Sequence, residues 1–208
     1  MAEARDESGE VRARLARPGL EVAPTLLGWT LSHTTEHGTV TVRLTEVEAY
    51  MGEDDPASHA HRGPTARNAV MFGPAGHLYT YLSYGVHWCS NVVTGEDGRA
   101  SAVLLRAGRV VEGASLARHR RGGRVKDAAL ARGPGCLGQA LGLHRGHNGM
   151  DLLGAGPLRL RPTPDLPPSH VASGHRVGVR LAHDVPWRFW VDGDPTVSAY
   201  RRSPRVRP

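Results

Sequence analysis

The sequence is organised around one stretch, Thr39-Val40-Thr41-Val42-Arg43-Leu44-Thr45-Glu46-Val47-Glu48-Ala49-Tyr50. Apolar residues alternate through its first half, which is the period of a strand with one buried face. If the alternation continues unbroken, Glu46 and Glu48 lie on the apolar face, where a carboxylate is costly unless it is paired, hydrogen-bonded or turned toward a cleft. If it slips by one residue, Val47 and Ala49 take the apolar role instead. The two acids are therefore interpreted either as partners of arginines at a strand end or as part of a functional site.

Two β-hairpins are predicted from the neighbouring sequence. Residues 29–33 and 39–50 have the pattern of two strands joined by a short turn. Strand-like runs also flank Ser83-Tyr84-Gly85, where Gly85 can supply a positive φ. Tyr84 is therefore expected at the tip of a second, protruding hairpin, which is an odd place for an aromatic side chain that meets only water.

The rest of the chain alternates between irregular segments and short elements. Residues 51–76 contain three prolines and few periodic apolar residues, so they are predicted to form a long loop. Loops of that length are usually functional or disordered. The apolar run at 102–105 predicts a buried strand that ends at Arg106. Short helices are predicted for residues 112–121 and just after Gly133-Pro134-Gly135, and the last strands for residues 176–179 and 187–191.

Chain length and the terminal segments limit the class of protein. The 208 residues, with 39% hydrophobic content, suit one domain, which is predicted to cover residues 19–203. Residues 1–18 alternate acids and arginines around no apolar centre, so they are predicted to be a disordered or frayed lead-in and not a signal peptide. The sequence has no run of about 18 apolar residues that could span a membrane. Cys89 and Cys136 are few and far apart, which favours reduced thiols and a cytoplasmic location.

The charge of the chain is strongly positive. The formal net charge is +6, and of the 26 basic residues only Lys126 is a lysine. A genome rich in G and C explains this preference for arginine. The net charge nevertheless implies affinity for polyanions.

Several familiar kinds of catalytic site are not supported by the sequence. His59-Ala60-His61 with Glu48 could form a metal site, but no HExxH motif or paired cysteine spacing accompanies it. The sequence also lacks a G-x-S-x-G elbow, a Walker loop and a dinucleotide fingerprint. We therefore predict neither a metal nor another cofactor.

A carboxylate, several aromatic residues, an amide and two arginines remain as candidates. They are Glu48, Tyr50, Tyr79, Tyr81, Tyr84, Asn91, Arg67 and Arg106. Aromatic residues interleaved with basic ones suit stacking on bases and contact with phosphates. A single carboxylate suits a general base that activates water. Together these residues predict hydrolysis at a nucleotide.

Spaced motifs in the order of the chain carry a family resemblance. They are Thr45-Glu46-Val47-Glu48-Ala49-Tyr50, Ala57-Ser58-His59, Thr65-Ala66-Arg67-Asn68, Gly76-His77-Leu78-Tyr79-Thr80-Tyr81, Tyr84-Gly85, Cys89-Ser90-Asn91, Val103-Leu104-Leu105-Arg106, Gly133-Pro134-Gly135-Cys136-Leu137 and Arg176-Val177-Gly178. This series resembles the alkyladenine (3-methyladenine) DNA glycosylases. The resemblance implies an α+β fold, a single mixed domain with a curved, mainly antiparallel sheet, short flanking helices and a protruding hairpin.

The same resemblance implies a reaction and a role for each matching residue. The reaction is hydrolysis of the bond between a damaged purine and deoxyribose after the nucleotide is flipped out of the duplex. Glu48 would activate the attacking water with help from Arg106. The base pocket would comprise Tyr50, His59, Tyr81 and Asn91. Of these residues, Asn91 would discriminate against guanine. Tyr84 would be the wedge in the DNA stack, and Val86, His87, Tyr79, Thr65 and Arg67 would contact DNA around it.

Three departures from the animal members of the family affect these roles. Val86 and His87 replace an aromatic residue and a methionine. The loop between His59 and Tyr79 is one residue shorter, which bears on Thr65 and Arg67. One residue is also inserted between Asn91 and Arg106.

Double-stranded DNA containing damaged purines is the expected partner, bound by a monomer associated with the nucleoid. Glycosylases that also cut the strand usually attack with an amine and form a Schiff base. Lys126 lies outside every motif, so a monofunctional enzyme is predicted. Two alternatives stay open: a non-catalytic damaged-DNA-binding protein on the same fold, against which Glu48 argues, and a metal-dependent hydrolase using His59, His61 and Glu48.

Overall fold

A computed structural model of the chain describes residues 2–164 and 166–204. In these ranges the helices are α1 (Ala2–Leu15), α2 (Gly19–Thr25), α3 (Ala114–Arg120) and α4 (Pro134–Leu141). The strands are β1 (Thr30–Thr35), β2 (Gly38–Tyr50), β3 (Leu78–Ser83), β4 (His87–Val93), β5 (Ala102–Glu112), β6 (Ala131–Arg132), β7 (Leu158–Arg161), β8 (Val171–Gly174) and β9 (Arg188–Val191).

The strands form one mainly antiparallel sheet in the order β3-β4-β5-β2-β1-β7. Strand β9 pairs with β2 and β8, and β6 pairs with β5. Strand β2 is therefore central, with β5 on one side of its C-terminal half and β9 on the other. This arrangement confirms the predicted α+β class and both predicted hairpins, β1–β2 and β3–β4.

An irregularity in the β2–β5 pairing decides which face the two acids occupy. The register shifts on either side of Glu46, so that Thr45 has no partner on β5 and Arg106 has none on β2. An extra residue of this kind moves the side chains that follow it to the opposite face of the sheet. Val47 and Ala49 consequently join the apolar core, together with the apolar residues of the first half of β2. The slipped alternation is thus the correct one.

Helix α4 packs directly against the second hairpin. Leu137, Ala140 and Leu141 lie on one face of α4 and are fully buried in the core. A Cβ atom at Gly138 would lie 2.0 Å from the carbonyl oxygen of Trp88 on β4. Glycine is therefore required here for the helix to approach β4 at backbone distance, and this contact supports the base of the hairpin.

The N-terminal segment forms helix α1 in the part that the structure describes, where the sequence analysis predicted a disordered or frayed lead-in. The side chains of Val11 and Leu15, four residues apart on α1, are buried against the core. Arg12 donates hydrogen bonds of 2.8 and 3.0 Å to Asp151 and one of 2.6 Å to the carbonyl oxygen of Ala75. The helix was not predicted from the sequence because few apolar residues lie on the face that packs against the core. Residue 1 lies outside the described residues.

Two strand predictions are corrected by buried arginines. The β5 strand does not end at Arg106 but continues to Glu112, because the charge of Arg106 is compensated by buried carboxylates. Residues 176–179 do not form a strand and instead belong to an irregular segment between β8 and β9. In that segment Arg176 turns inward to pair with Asp55.

The long loop of residues 51–76 is confirmed, and it is tied down along its length. It contains two short 3₁₀ turns, Gly52–Asp54 and Ala69–Phe72. Asn68 donates from its amide to the carbonyl oxygens of His59 and Gly63 and accepts from the backbone of Thr65. Met71 packs in a second apolar cluster with residues of β3, β4 and β5. Within the described residues, no helix has the length and apolarity needed to cross a membrane.

Three histidines, His33, His144 and His147, pack against one another beside the core. The ring centroids of His33 and His147 are 4.7 Å apart, and those of His144 and His147 are 3.9 Å apart. His33 Nδ1 lies 2.7 Å from the carbonyl oxygen of Leu141, and His147 Nδ1 accepts from the backbone of His144. Burial, followed by repulsion from His144 and His33, lowers the pKa of His147 to about 4.

We expect this cluster to make the fold acid-sensitive. The pKa of His147 lies below the 6.5 of an unfolded histidine, so the unfolded chain binds a proton more readily. The stabilisation is complete above pH 6.5 and is lost as the pH falls toward 4, by at most about 3 kcal/mol. His147→Gln should therefore show a smaller drop in the free energy of urea unfolding between pH 7 and pH 5 than the wild type. His37→Gln, at an exposed position, serves as the control, and equal drops in all three proteins would contradict the assignment.

Candidate functional site

A cavity of about 840 Å³ opens where β2 and β5 meet the β3–β4 hairpin and the C-terminal part of the chain. This volume is within the range of small-molecule sites in proteins. Its lining includes Tyr50, Leu104 and Arg106 from the central strands, His59, Tyr79, Tyr81, Cys89 and Asn91 from the long loop and the hairpin, and Val177, Arg180, Arg201 and Arg202 from the C-terminal part.

Glu48 lies directly behind the wall of this cavity. The backbone N–H of Val177 donates to its Oε1 over 2.7 Å, and the hydroxyl of Tyr50 donates to its Oε2 over 2.9 Å. Nη1 of Arg106 lies 3.3 Å from Oε1. All three partners line the cavity, whereas Glu48 itself is fully buried. A carboxylate oxygen can accept two hydrogen bonds, so Oε2 keeps acceptor capacity in addition to its bond from Tyr50.

Arg106 joins the two acids of β2. Its Nε donates to Oε1 of Glu46 over 2.9 Å, while Nη1 faces Glu48. Burial acts to lower the pKa of Arg106, but Glu48 and Glu46 outweigh it and raise the pKa above its usual value. The guanidinium therefore stays charged, and it brings a fixed positive charge to the cavity floor.

Glu46 is fully occupied by structural partners. Besides Arg106, it accepts from the backbone N–H and the hydroxyl of Ser198 over 2.7 and 2.9 Å. Nε of Arg188 lies 2.9 Å from the same carboxylate. Glu46 does not line the cavity. The interpretation as an ion-paired acid is thus correct for Glu46, and Glu48 is the acid whose side-chain partners line the cavity.

One wall of the cavity is aromatic. The rings of His59 and Tyr81 meet edge to face with centroids 4.6 Å apart, and the rings of Tyr79 and Tyr81 lie 5.9 Å apart. Nδ1 of His59 is 3.1 Å from the hydroxyl of Tyr79. Burial lowers the pKa of His59 and raises the pKa of both tyrosines, so all three rings are neutral near pH 7. Their faces can receive a flat ring, including a cationic one.

Asn91 and Tyr50 complete the surroundings of this wall. The side-chain amide of Asn91 donates to the carbonyl oxygen of Tyr79 over 3.1 Å, which fixes its orientation. Burial and the neighbouring Glu48 raise the pKa of Tyr50 well above its usual value. Tyr50 is therefore a neutral hydrogen-bond donor toward Glu48.

The tip of the β3–β4 hairpin projects into solvent. Tyr84 is 92% exposed and adopts a φ of 50°, and Gly85 follows with a φ of 72°. Two successive positive φ values suit a tight turn, which is closed by the N–H of Val86 donating to the carbonyl oxygen of Ser83 over 3.1 Å. An L-residue with a ring seldom adopts that conformation. The exposed ring is thus held out from the body of the protein beside the cavity mouth, which Tyr84 lines.

Most of the predicted site residues meet at the cavity. Those that line it are Tyr50, His59, Arg67, Tyr79, Tyr81, Tyr84, Asn91 and Arg106. Val86 and His87 lie exposed beyond the hairpin tip, and the exposed Thr65 donates from its hydroxyl to Asn68; these three do not line the cavity. No three His, Cys, Asp or Glu side chains come together as a metal centre in the described part of the chain. His59, His61 and Glu48 therefore do not form the metal site considered from the sequence.

A buried ion pair that the sequence did not predict holds one edge of the site. The guanidinium of Arg176 donates to Asp55 over 2.9 Å and to the carbonyl oxygen of Ala49 over 3.1 Å. Both charged side chains are fully buried. The same guanidinium lies 4.7 Å from the ring centroid of Tyr50 and 5.0 Å from that of Trp187. This pair fixes the segment after Arg176, so the next N–H reaches Glu48.

Comparison with known proteins identifies the family. The sequence profile of the family described as methylpurine-DNA glycosylase (MPG) matches residues 13–195. The chain belongs to this family. The match confirms the resemblance drawn from the motifs, and it spans the strands, the long loop and the hairpin that build the cavity.

Bacterial relatives extend the match to nearly the whole chain. A protein of Streptomyces avermitilis is 52% identical over 211 residues, which cover 100% of this chain and 99% of its own length. Proteins of Nocardia farcinica and Frankia casuarinae are 55% identical over 189 residues and 53% identical over 201 residues, covering 88% and 92% of this chain and 89% and 92% of their own lengths. All three are provisionally named 3-methyladenine DNA glycosylases.

The Arg176–Asp55 ion pair of this methylpurine-DNA glycosylase family member was not predicted from the sequence. Arg176-Val177-Gly178 was recognised as a motif, but no role was assigned to its residues. Asp55 is 121 positions away from Arg176. The signal in the sequence for a buried pair was an arginine next to apolar residues, because an arginine that is buried there needs a partner of opposite charge.

We expect Asp55→Asn to destabilise the protein by about 3 kcal/mol or more, because it leaves the Arg176 guanidinium buried without its counter-charge. Chemical denaturation at pH 7 measures this loss. Asp127→Asn is the matched control, because Asp127 pairs with Arg118 through a side chain that is 80% exposed. A surface pair of this kind contributes less than about 1 kcal/mol. Equal losses in the two variants would contradict the structural role of the buried pair.

Proposed function

We propose that this protein is a monofunctional DNA glycosylase that excises alkylated or deaminated purines from duplex DNA. It flips the damaged nucleotide into the cavity, hydrolyses the N-glycosidic bond with water and leaves an abasic site. The observation that carries the proposal is the position of Glu48, a carboxylate oriented by Val177, Tyr50 and Arg106 immediately behind an aromatic-lined cavity. The family match and the names of the relatives point to the same reaction.

The aromatic wall suits the damaged base. An alkylated purine can carry a positive charge, which is attracted to the electron-rich faces of Tyr79 and Tyr81. His59 remains neutral because its burial lowers its pKa, so it does not repel such a base. Asn91, fixed by its bond to the Tyr79 carbonyl, would screen bases by their exocyclic groups.

Glu48 and Arg106 supply the chemistry of the proposed step. Glu48 accepts a proton from water as the water oxygen attacks C1′ of the deoxyribose. The bond between C1′ and the base breaks, and the base leaves with the bonding electron pair, readily when it is cationic. Arg106 holds the carboxylate in place by its charge, with Nη1 at 3.3 Å from Oε1 of Glu48.

The exposed hairpin tip suits the flipping step. Tyr84 would fill the gap that the flipped nucleotide leaves in the stack, and its 92% exposure leaves the ring free to enter DNA. Val86 and His87 on the hairpin, and Thr65 and Arg67 on the long loop, would contact the backbone around the lesion. A monomer is sufficient for this arrangement, because one chain supplies the cavity, the carboxylate and the wedge.

We expect Glu48→Gln to lose base release while it retains DNA binding. The amide keeps the shape of the carboxylate but cannot accept the proton, so single-turnover release from methylated duplex DNA should fall by about 10²- to 10⁴-fold. Affinity for the same duplex should stay within a few-fold of the wild type. Glu36→Gln, at a side chain that is 85% exposed, should release bases at the wild-type rate. Unchanged release by Glu48→Gln would remove Glu48 from the proposed role.

We also expect the product strand to stay intact until it is treated with alkali. Lys126 is the only lysine of the chain and does not line the cavity, so no lysine amine is placed to form a Schiff base. Borohydride added during turnover should therefore trap no covalent complex between protein and DNA. A trapped adduct, or strand cleavage before alkali, would contradict the monofunctional assignment.

A further inference from the structure

The charge of the cavity lining is unevenly distributed. The lining includes five arginines and no aspartate or glutamate. Arg106 belongs to the floor, and Arg67 interacts with the hydroxyl of Tyr79 at the aromatic wall. The other three, Arg180, Arg201 and Arg202, come from the C-terminal part of the chain. We call these three residues the arginine wall.

The chain segments that carry the two walls adjoin opposite sides of the central strand. Strand β5, followed by β4 and β3, flanks Glu48 on one side, and these strands carry Tyr79, Tyr81 and Asn91. Strand β9 flanks Glu48 on the other side. The segment between β8 and β9 and the segment after β9 supply the arginine wall. The two walls therefore reach the cavity from segments on different sides of β2.

Backbone and ring contacts hold the arginine wall together. The N–H of Gly178 donates to the carbonyl oxygen of Arg201 over 3.0 Å, which joins the segment before β9 to the segment after it. The rings of His175 and Tyr200 meet with centroids 6.1 Å apart. The first segment is also anchored by the buried Arg176, and the second by the bonds from Ser198 to Glu46.

The side chains of the arginine wall are exposed and have no carboxylate partner in residues 2–164 and 166–204. Arg12, Arg109 and Arg118, in contrast, each face an aspartate. An unpaired guanidinium keeps all five N–H donors available, in a planar fork that matches phosphate oxygens. Three such groups beside one cavity make a locally strong positive potential.

We propose that Arg180, Arg201 and Arg202 bind backbone phosphates of the DNA strand that carries the flipped nucleotide. This inference rests on the proposed function. The scissile bond must lie over the floor near Glu48 and Arg106, and the base belongs with the neutral aromatic rings on one side. The sugar-phosphate backbone then runs along the opposite side, where the arginine wall stands. The wall thus orients the nucleotide across the cavity, base to one side and phosphates to the other.

Salt dependence of DNA binding tests this assignment. Each lost phosphate contact reduces the slope of log affinity against log salt by about 0.9. We therefore expect the double variant Arg201→Gln/Arg202→Gln to show a slope smaller by about 1.8 on a fluorescent duplex containing one lesion. Arg201→Lys/Arg202→Lys should keep most of the slope, because lysine retains the charge.

A matched control removes two charges elsewhere. Arg43→Gln/Arg159→Gln changes the net charge by the same amount at exposed strand positions outside the cavity, and its slope should stay near that of the wild type. Equal slopes for the two double glutamine variants, or an unchanged slope in the first, would overturn the proposal. Because none of the substituted side chains of the wall is buried, we expect the unfolding midpoint of all variants to match the wild type.

Base release separates this inference from the proposed function. Release of alkylated bases by the wild-type protein tests the proposed function independently of the arginine wall. A wild-type slope in the double glutamine variant, together with base release by the wild-type protein, would overturn the arginine wall alone. If the double glutamine variant has a reduced slope but the wild-type protein releases no base, the glycosylase proposal is overturned. The arginine wall then remains as a DNA-binding surface.

Discussion

The burial of two carboxylates on one strand is the constraint on which the site depends. Glu46 and Glu48 are both fully buried, and like charges this close would be strongly unfavourable without compensation. Arg106 lies between them and Arg188 adds a second charge on Glu46. The compensation is possible because the shifted register of β2 and β5 turns the acids away from the apolar core, while Arg106 occupies the unpaired position of β5.

The two acids have different partners and different surroundings. Glu46 is enclosed by Arg106, Arg188 and Ser198, so it fixes the C-terminal segment to β2. Within the described residues, the hydrogen-bond and ion-pair partners of the Glu48 carboxylate all line the cavity, and one of them is the N–H that follows Arg176. The fully buried Arg176–Asp55 pair thus acts on the candidate site through a backbone hydrogen bond. Stability and the orientation of the carboxylate are coupled in this part of the fold.

Local patterns in the sequence predicted the hairpins and the exposed tip at Tyr84, because strand alternation and turn chemistry are local properties. The family motifs contain the eight predicted residues that line the cavity. Features that depend on a residue far away in the sequence were not predicted or were left undecided between two alternatives. The face of Glu48 depended on an unpaired residue of β5, and the segment after Arg176 was wrongly predicted as a strand because Asp55 pulls the arginine inward. The arginine wall was not predicted because arginines are frequent throughout the chain, so these three were not distinguished in the sequence.

The most direct test of the account is a crystal structure of Glu48→Gln bound to a duplex containing one ethenoadenine. The account predicts that the damaged base lies in the cavity against His59 and Tyr81, that Tyr84 fills the vacated stack, and that a water lies between residue 48 and C1′ within about 3.5 Å of both. A lesion that remains stacked in the duplex, or a bound nucleotide whose C1′ faces away from residue 48, would contradict it.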